Sequence, residues 1–411
     1  MKVRRIVAAI AIMALMLCGI AVADDVTIVA GNGWLYTFDE NDLTITGLVS
    51  QYDFGKGINS AAGNRATGDI VLGFNDGTTA VVKYNKLGTI LTSGTISGGS
   101  AILGTAIRPN GELYFANTEG WAYARDNNDI TAVPPGYTPP AALQLISGAS
   151  PYLSVTTSPQ DKVVFIATDR FETWIRQGND MNSVPPGYVN DHIVWGSYLT
   201  AWQTTSTGDV VIASGLTGNA KVFIRDDANM AALPTGYAGS PGDVSGVQVG
   251  TDGRIKAMAR TADDMLIIGN DHANVYVRPA SNLANTSLLP GYVSNEVTGQ
   301  FIWGPSALAV TSNNNVIIGC HEGRVFVRSL FDIAGDDIVP PSDFTAGDIG
   351  IVGIFPMPYT GGEPTCEQKI SMGNVLTGDF NRDCYVDFKD IAIFALDWTK
   401  CNDPENEDCV W

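Results

Sequence analysis

The sequence predicts an all-β protein, a seven-bladed β-propeller followed by a small C-terminal calcium-loop and helix module. Three observations predict it. A motif of about fifty residues recurs along most of the chain, and each copy holds short alternating strands bounded by Gly, Pro, Asn and Asp. The last 46 residues break the pattern with four cysteines and a run of acids. Composition agrees: of 411 residues 45% are hydrophobic, only 16% are charged, and 45 glycines and 20 prolines supply turns.

The chain opens with Lys2, Arg4 and Arg5, then runs apolar from Ile6 to Ala23 and ends that run in Ala21-Val22-Ala23 before Asp24-Asp25. A basic start, an apolar stretch and a small-x-small end make a signal peptide cleaved near Ala23, so residues 1–23 are read as leader and the protein as secreted or displayed at the cell surface. The alternative is an uncleaved anchor, for which 18 apolar residues suffice. No other run is long enough to span a membrane. Without the leader, 43 acidic residues face 21 basic ones, a formal charge of −22. That excludes nucleic acid and anionic membrane surfaces as natural partners and favours calcium or neutral ligands.

The repeat fills residues 24–358. In five copies an alternating strand ends in Arg, and an Asp or Asn with an aliphatic residue follows four positions on. The arginines are Arg125, Arg176, Arg225, Arg278 and Arg328, spaced 51, 49, 53 and 50 residues apart. A Pro-Gly-Tyr turn follows at Tyr137, Tyr188 and Tyr292, with one inserted residue at Tyr237. Strands such as Val210–Ala213 and Met265–Ile268 precede the Arg strands, and Tyr198–Trp202 and Ala307–Ser312 supply a further strand per copy. Two fainter copies come first, at Val26–Phe38 and Ile70–Tyr84. Four strands in about 48 residues is propeller-blade spacing, and seven copies predict seven blades, with six or eight as the alternatives left by the faint copies. The first copy lacks an innermost strand, which the run Ile349–Phe355 can supply to close the ring. The Trp-Asp signature of WD repeats and the paired glycines of kelch repeats are missing.

A residue that recurs in every blade braces the scaffold most simply. The Arg is therefore expected to pair with loop carboxylates or carbonyls, the Asp/Asn to cap a turn, and the Pro-Gly-Tyr to form a tight turn with a packed ring. The rival reading is a multivalent lectin with a pocket in every blade. Residues that break the repeat are better site candidates. In this register one face gathers Trp34, Glu119, Trp121, Asp169, Asp271, His272, His321 and Glu322 from turns, with Trp195 and Trp303 from the loops between blades. Such rings can stack on sugars while the acids accept hydroxyl hydrogen bonds; alternatively the tryptophans cover blade junctions. Paired His272 and His321 lack further recognisable metal ligands. No Gly-x-Ser-x-Gly, His-Glu-x-x-His or phosphate-binding loop occurs, so no catalytic residue is named, and a glycoside hydrolase or polysaccharide lyase using the facial acids is the alternative to a binding protein. Cys320 is expected to be a strand-end thiol.

After a plain linker at 359–365 the composition changes. Asp379, Asn381, Asp383, Asp387 and Asp390 place oxygen side chains at positions 1, 3, 5, 9 and 12 of a loop whose seventh residue, Tyr385, offers a carbonyl. Calcium wants six to eight such hard ligands, and Ile391 to Trp398 continues with apolar residues at helical spacing. Here the sequence resembles a single type I dockerin repeat, over about 20 residues. The resemblance implies calcium as cofactor, calcium-dependent folding, and attachment to a cohesin-like or other surface partner, often in polysaccharide-degrading systems. Two departures stand out: Cys401 to Cys409 replaces the second repeat, and Cys384 stands where the loop usually has Gly. Cys366, Cys384, Cys401 and Cys409 in an exported segment are disulfide candidates, with three pairings open. The expectation is an exported binding or display protein, attached by residues 366–411 and directed at extracellular polysaccharide.

Overall fold

The computed structural model describes residues 24–43, 47–96, 99–137, 142–145, 153–160, 162–167, 171–195, 198–214, 221–250, 253–301, 304–338 and 350–357. The leader, Asp169, Trp303, the four tail cysteines and the whole calcium loop lie outside the described residues.

Seven antiparallel sheets make a seven-bladed β-propeller, six of four strands and the last of three among the described residues. The innermost strands of blades 1 to 7 are Ile351–Met357, Ile58–Asn64, Ile102–Ile107, Leu153–Thr157, Leu199–Thr204, Ile255–Arg260 and Pro305–Val310. The second strands read as continuous apolar runs because a blade lies on both of their faces: every residue of Leu113–Asn117 and Val210–Ser214 is buried. The outermost strand of blade 1, Leu48–Asp53, instead alternates with solvent. The core is correspondingly not one mass but seven hydrophobic clusters, one at each junction between neighbouring blades.

The ring closes as the sequence suggests. Asp25–Ala30 pairs antiparallel with Ile351–Met357, Val26 opposite Pro356 and Ile28 opposite Ile354, so blade 1 combines strands from both ends of the domain. The closing strand starts two residues later than the apolar run at Ile349, and it leaves no open edge on the inner ring.

The recurring arginines are braces. Arg278 is 2% exposed; its Nη1 donates to the Val277 and Asn295 carbonyls at 2.9 and 3.2 Å, and its Nη2 to Glu296 at 3.0 Å. Arg225 donates to the carbonyls of Ile224 and Val244, Arg176 pairs with Asp191, and Arg328 with Asp337. Burial pushes the Arg225 guanidinium down to about 10, still charged at neutral pH. The residue that follows each Asp/Asn (Ile130, Met181, Met230, Leu283, Ile333) is buried in the hydrophobic cluster at the junction with the preceding blade.

Pro-Gly-Tyr does more than turn the chain. Its glycines sit at φ between 76° and 86°, the left-handed conformation that the third position of a type II turn requires. The turn aims the tyrosine into the following blade. The Tyr137 oxygen accepts the Met181 N–H at 3.0 Å, that of Tyr237 accepts the Leu283 N–H at 3.1 Å, and the Tyr188 hydroxyl donates to Asp227 at 2.7 Å. The next residue adds a backbone bond: Val189 to Ala228, Ala238 to Ser281 and Val293 to Phe331, at 2.7–2.8 Å. The motif is an inter-blade latch.

Candidate functional site

Chain direction alternates across a four-stranded blade, so the turn joining the second and third strands and the loop entering the next inner strand open on one face. Backbone bonds between the two recur around the ring. Gly31 donates to Gly350, Asn75 to Gly57, Thr118 to Ala101, Asp271 to Arg254 and His321 to Gly304, all at 2.9–3.2 Å. Trp34, Trp121, Asp271, His272, His321 and Glu322 all lie in or beside these turns.

Part of that set forms one sector. Gly304, at φ +75°, is wedged so tightly that a Cβ there would stand 2.6 Å from Asp271 Cα and 2.7 Å from the Asn270 oxygen. Its carbonyl receives the His321 N–H on its other side. A Cβ on Gly350 would lie 3.3 Å from His321 Nδ1, and Gly350 in turn holds Gly31, in the turn that leads to Trp34. The turns of blades 6, 7 and 1 thus follow one another along the rim. His272 and His321 are exposed, Glu322 and Trp34 half-buried. The buried Asn270 fixes the His272 turn by accepting the His272 and Asn274 N–H groups, each at 3.1 Å. Asn117 does the same for Glu119 and Trp121, in blade 3, away from the sector.

Trp195 reaches the same face but offers no open ring. It is 4% exposed, its Nε1 donates to Thr173 Oγ1 at 2.9 Å, its ring tilts against Phe223 at 4.8 Å, and the Arg225 guanidinium lies 5.0 Å from it. It covers a blade junction, the structural one of the two roles weighed for the tryptophans. Cys320 ends the second strand of blade 7 with no exposed surface, its thiol pushed up to about 12 by burial, a packed and unreactive group.

All seven inner strands line a central channel of about 560 Å³. Five of them carry a β-bulge at their second residue: Asn59, Leu103, Thr200, Lys256 and Ser306. These residues stand at the start of the inner strands, so they ring the channel mouth on the face that carries the His272 and His321 turns. Sequence reasoning missed this ring. Its one signal was an unpaired polar residue between apolar ones, as in Ile255-Lys256-Ala257.

The polar side chains that line the channel carry amides, hydroxyls and one ammonium. Among the described residues that line the channel none is Asp, Glu or His. The rim acids have cationic neighbours: Asp271 accepts the Arg254 N–H at 2.7 Å with the Arg254 Nε at 3.8 Å, and Glu322 lies 3.8 Å from Arg324. Among the described residues no group of three or more His, Cys, Asp and Glu could hold a metal, and none forms a helix long and apolar enough to cross a membrane.

Comparison with known proteins reaches the architecture. The fold is similar to that of a chain in the crystal structure of the mitotic checkpoint complex, with a TM-score of 0.52 and 11% identity over 75% of this chain and 84% of that one. At that identity the likeness shows the fold alone. No protein-family model and no curated protein matches the sequence.

Proposed function

We propose that this is an exported binding or display protein whose propeller holds extracellular polysaccharide at the channel mouth. Residues 366–411 tether it, through calcium, to a cohesin-like or other surface partner. The observation that carries the binding reading is the make-up of the mouth. At the start of the inner strands Asn59 presents an amide and Lys256 an ammonium. The Thr200 and Ser306 hydroxyls, which donate to the Ala213 and Ile351 carbonyls, keep lone pairs as acceptors. No carboxylate lines the channel among the described residues. Sugar hydroxyls can be held by such amide, hydroxyl and ammonium groups, whereas glycoside hydrolysis needs two carboxyl groups about 5–10 Å apart. A lectin using the repeated positions lacks free groups, since the Arg and Tyr side chains are spent on braces and latches.

The test is incubation of the secreted protein with extracellular polysaccharides. Binding reads as retention on the polymer without release of new reducing ends or unsaturated products. Release of such ends assigns the protein to the hydrolases or lyases instead.

A further inference from the structure

The ring closes within blade 1, and Asp24, just before the first strand of that blade, sits in the seam between blades 1 and 7. It is 2% exposed, and its side chain ties three blades: one oxygen pairs with Arg65 of blade 2, the other accepts the Ser312 N–H of blade 7 at 2.8 Å. Its main-chain nitrogen donates to Glu40 Oε2 at 2.8 Å, while the Glu40 N–H returns a bond to the Asp24 carbonyl at 3.1 Å. Glu40 is 1% exposed, and its other oxygen accepts from Thr311 Oγ1 at 2.9 Å and from the amides of Asn313 and Asn315.

The charges around this seam do not balance. Asp24, Asp25, Asp39 and Glu40 bring four carboxyl groups, and the cation paired with them is Arg65, on Asp24. No cationic side chain among the described residues forms an ion pair with Glu40. Asp25 has no exposed surface, and neither of its carboxylate oxygens has a hydrogen-bond partner among the described residues. A buried carboxylate is costly unless a charge compensates it, and a peptide N–H supplies only a dipole.

We propose that removal of the leader after Ala23 completes the ring by converting the Asp24 amide into an α-ammonium paired with the buried Glu40 carboxylate. A leader peptidase directs water onto the Ala23 carbonyl carbon and the C–N bond breaks. The water oxygen stays on Ala23 as part of its new carboxylate, and both water protons end on the Asp24 nitrogen. An α-amine with a pKa of about 7.7–8.0 is mostly charged at neutral pH. The new cation stands at the atom that already meets Glu40, needs no rearrangement of the seam, and offsets the charge of the carboxylate that Thr311 and Asn315 of blade 7 hold. Processing is thereby a stabilising step as well as an export step. The inference rests on the leader reading in the proposed function.

The experiment compares three full chains: one beginning at Asp24, the same chain Nα-acetylated, and one with Ala21-Val22-Ala23 retained before Asp24. The free chain is expected to melt higher than both others by about 1–3 °C, since the shift for a given stabilisation shrinks as the domain grows. Glu40→Gln should erase the difference, and the acetylated arm keeps the test valid where that variant fails to fold. Equal melting of the three chains, or a difference that survives Glu40→Gln, would overturn the pairing alone. An N-terminus of the exported protein other than Asp24 would overturn the processing step and the leader reading together.

Discussion

The phenolic oxygen of Tyr237 accepts the main-chain N–H of Leu283 at 3.1 Å, 46 residues further along the chain and in the next blade. The equivalent bond from Met181 to Tyr137 spans 44 residues. The Pro-Gly-Tyr repeat therefore sets how each blade docks on its successor. Tyr137 is the more buried of the two, and burial pushes its hydroxyl up to about 12. Tyr137→Phe keeps the packed ring but leaves the Met181 N–H without its acceptor. A loss of about 1–3 kcal/mol in urea-unfolding stability is expected, with the channel face unaffected.

The Arg278 brace makes a sharper distinction between charge and geometry. Its partner Glu296 is half-exposed, so Glu296→Gln should cost less than about 1 kcal/mol. Arg278→Met takes the guanidinium from the buried Val277 carbonyl, while the Asn295 carbonyl keeps the Val277 N–H at 2.8 Å, and should cost about 1–3 kcal/mol. Arg278→Lys keeps the charge without the fork and should fall between the two. Denaturant midpoints for the three variants check the order. An equal loss for Glu296→Gln and Arg278→Met would mean that the ion pair, not the carbonyls, is the brace.

Asp25 gives a pH dependence with a definite sign. With an amide at Asp24, burial first, then Asp39 and Asp24, push its carboxyl up to about 7. An unfolded Asp titrates near about 3.9, so between roughly pH 4 and 7 the native state holds a proton that the unfolded state has lost. That group's contribution is full below pH 4 and falls as pH rises through the window. In the chain extended before Asp24, the stability gain from Asp25→Asn should grow from pH 4 to 7 and then level off. Calorimetric melting at half-unit intervals reads it, and in the chain beginning at Asp24 the gain should be smaller.

Much of this architecture was legible. Seven copies, the missing inner strand of the first and the apolar run that replaces it follow from strand spacing and from the rule that sheet edges must be covered. The recurring Arg read correctly as a brace because repetition itself argues for scaffold. The destination of Tyr137 was not legible, since a turn motif shows how the chain bends and not what lies 44 residues on. Sequence alone left Trp195 between an open ring and a junction cover, because the neighbours that settle it, Phe223 and Arg225, come from the next blade. The bulges at Thr200 and Lys256 depend on a one-residue mismatch between paired strands, which no single strand reveals.

The tail is expected to bind one calcium ion through Asp379, Asn381, Asp383, Asp387 and Asp390 with the carbonyl of Tyr385. Four carboxylates in a 12-residue loop repel one another until the cation enters, so binding should be coupled to helix formation over 391–398. In the full chain, titration calorimetry should register binding at or below about 10⁻³ M. Asp379→Ala combined with Asp390→Ala should abolish it and leave propeller melting unchanged. Heat that persists in the double variant would place the ion elsewhere.

The central claim is that the channel mouth binds neutral extracellular glycan, and a glycan array probed with residues 24–358 tests it most directly. The account predicts retention of a defined set of glycans, reduced at least about tenfold by Lys256→Ala, the loss of one hydrogen bond to a charged group, and less by Thr200→Val, whose half-buried hydroxyl also donates to the Ala213 carbonyl. Tyr137→Phe, on the opposite face, should bind as the unaltered protein does. No glycan retained, or equal retention by the mouth variants and the unaltered protein, would contradict it.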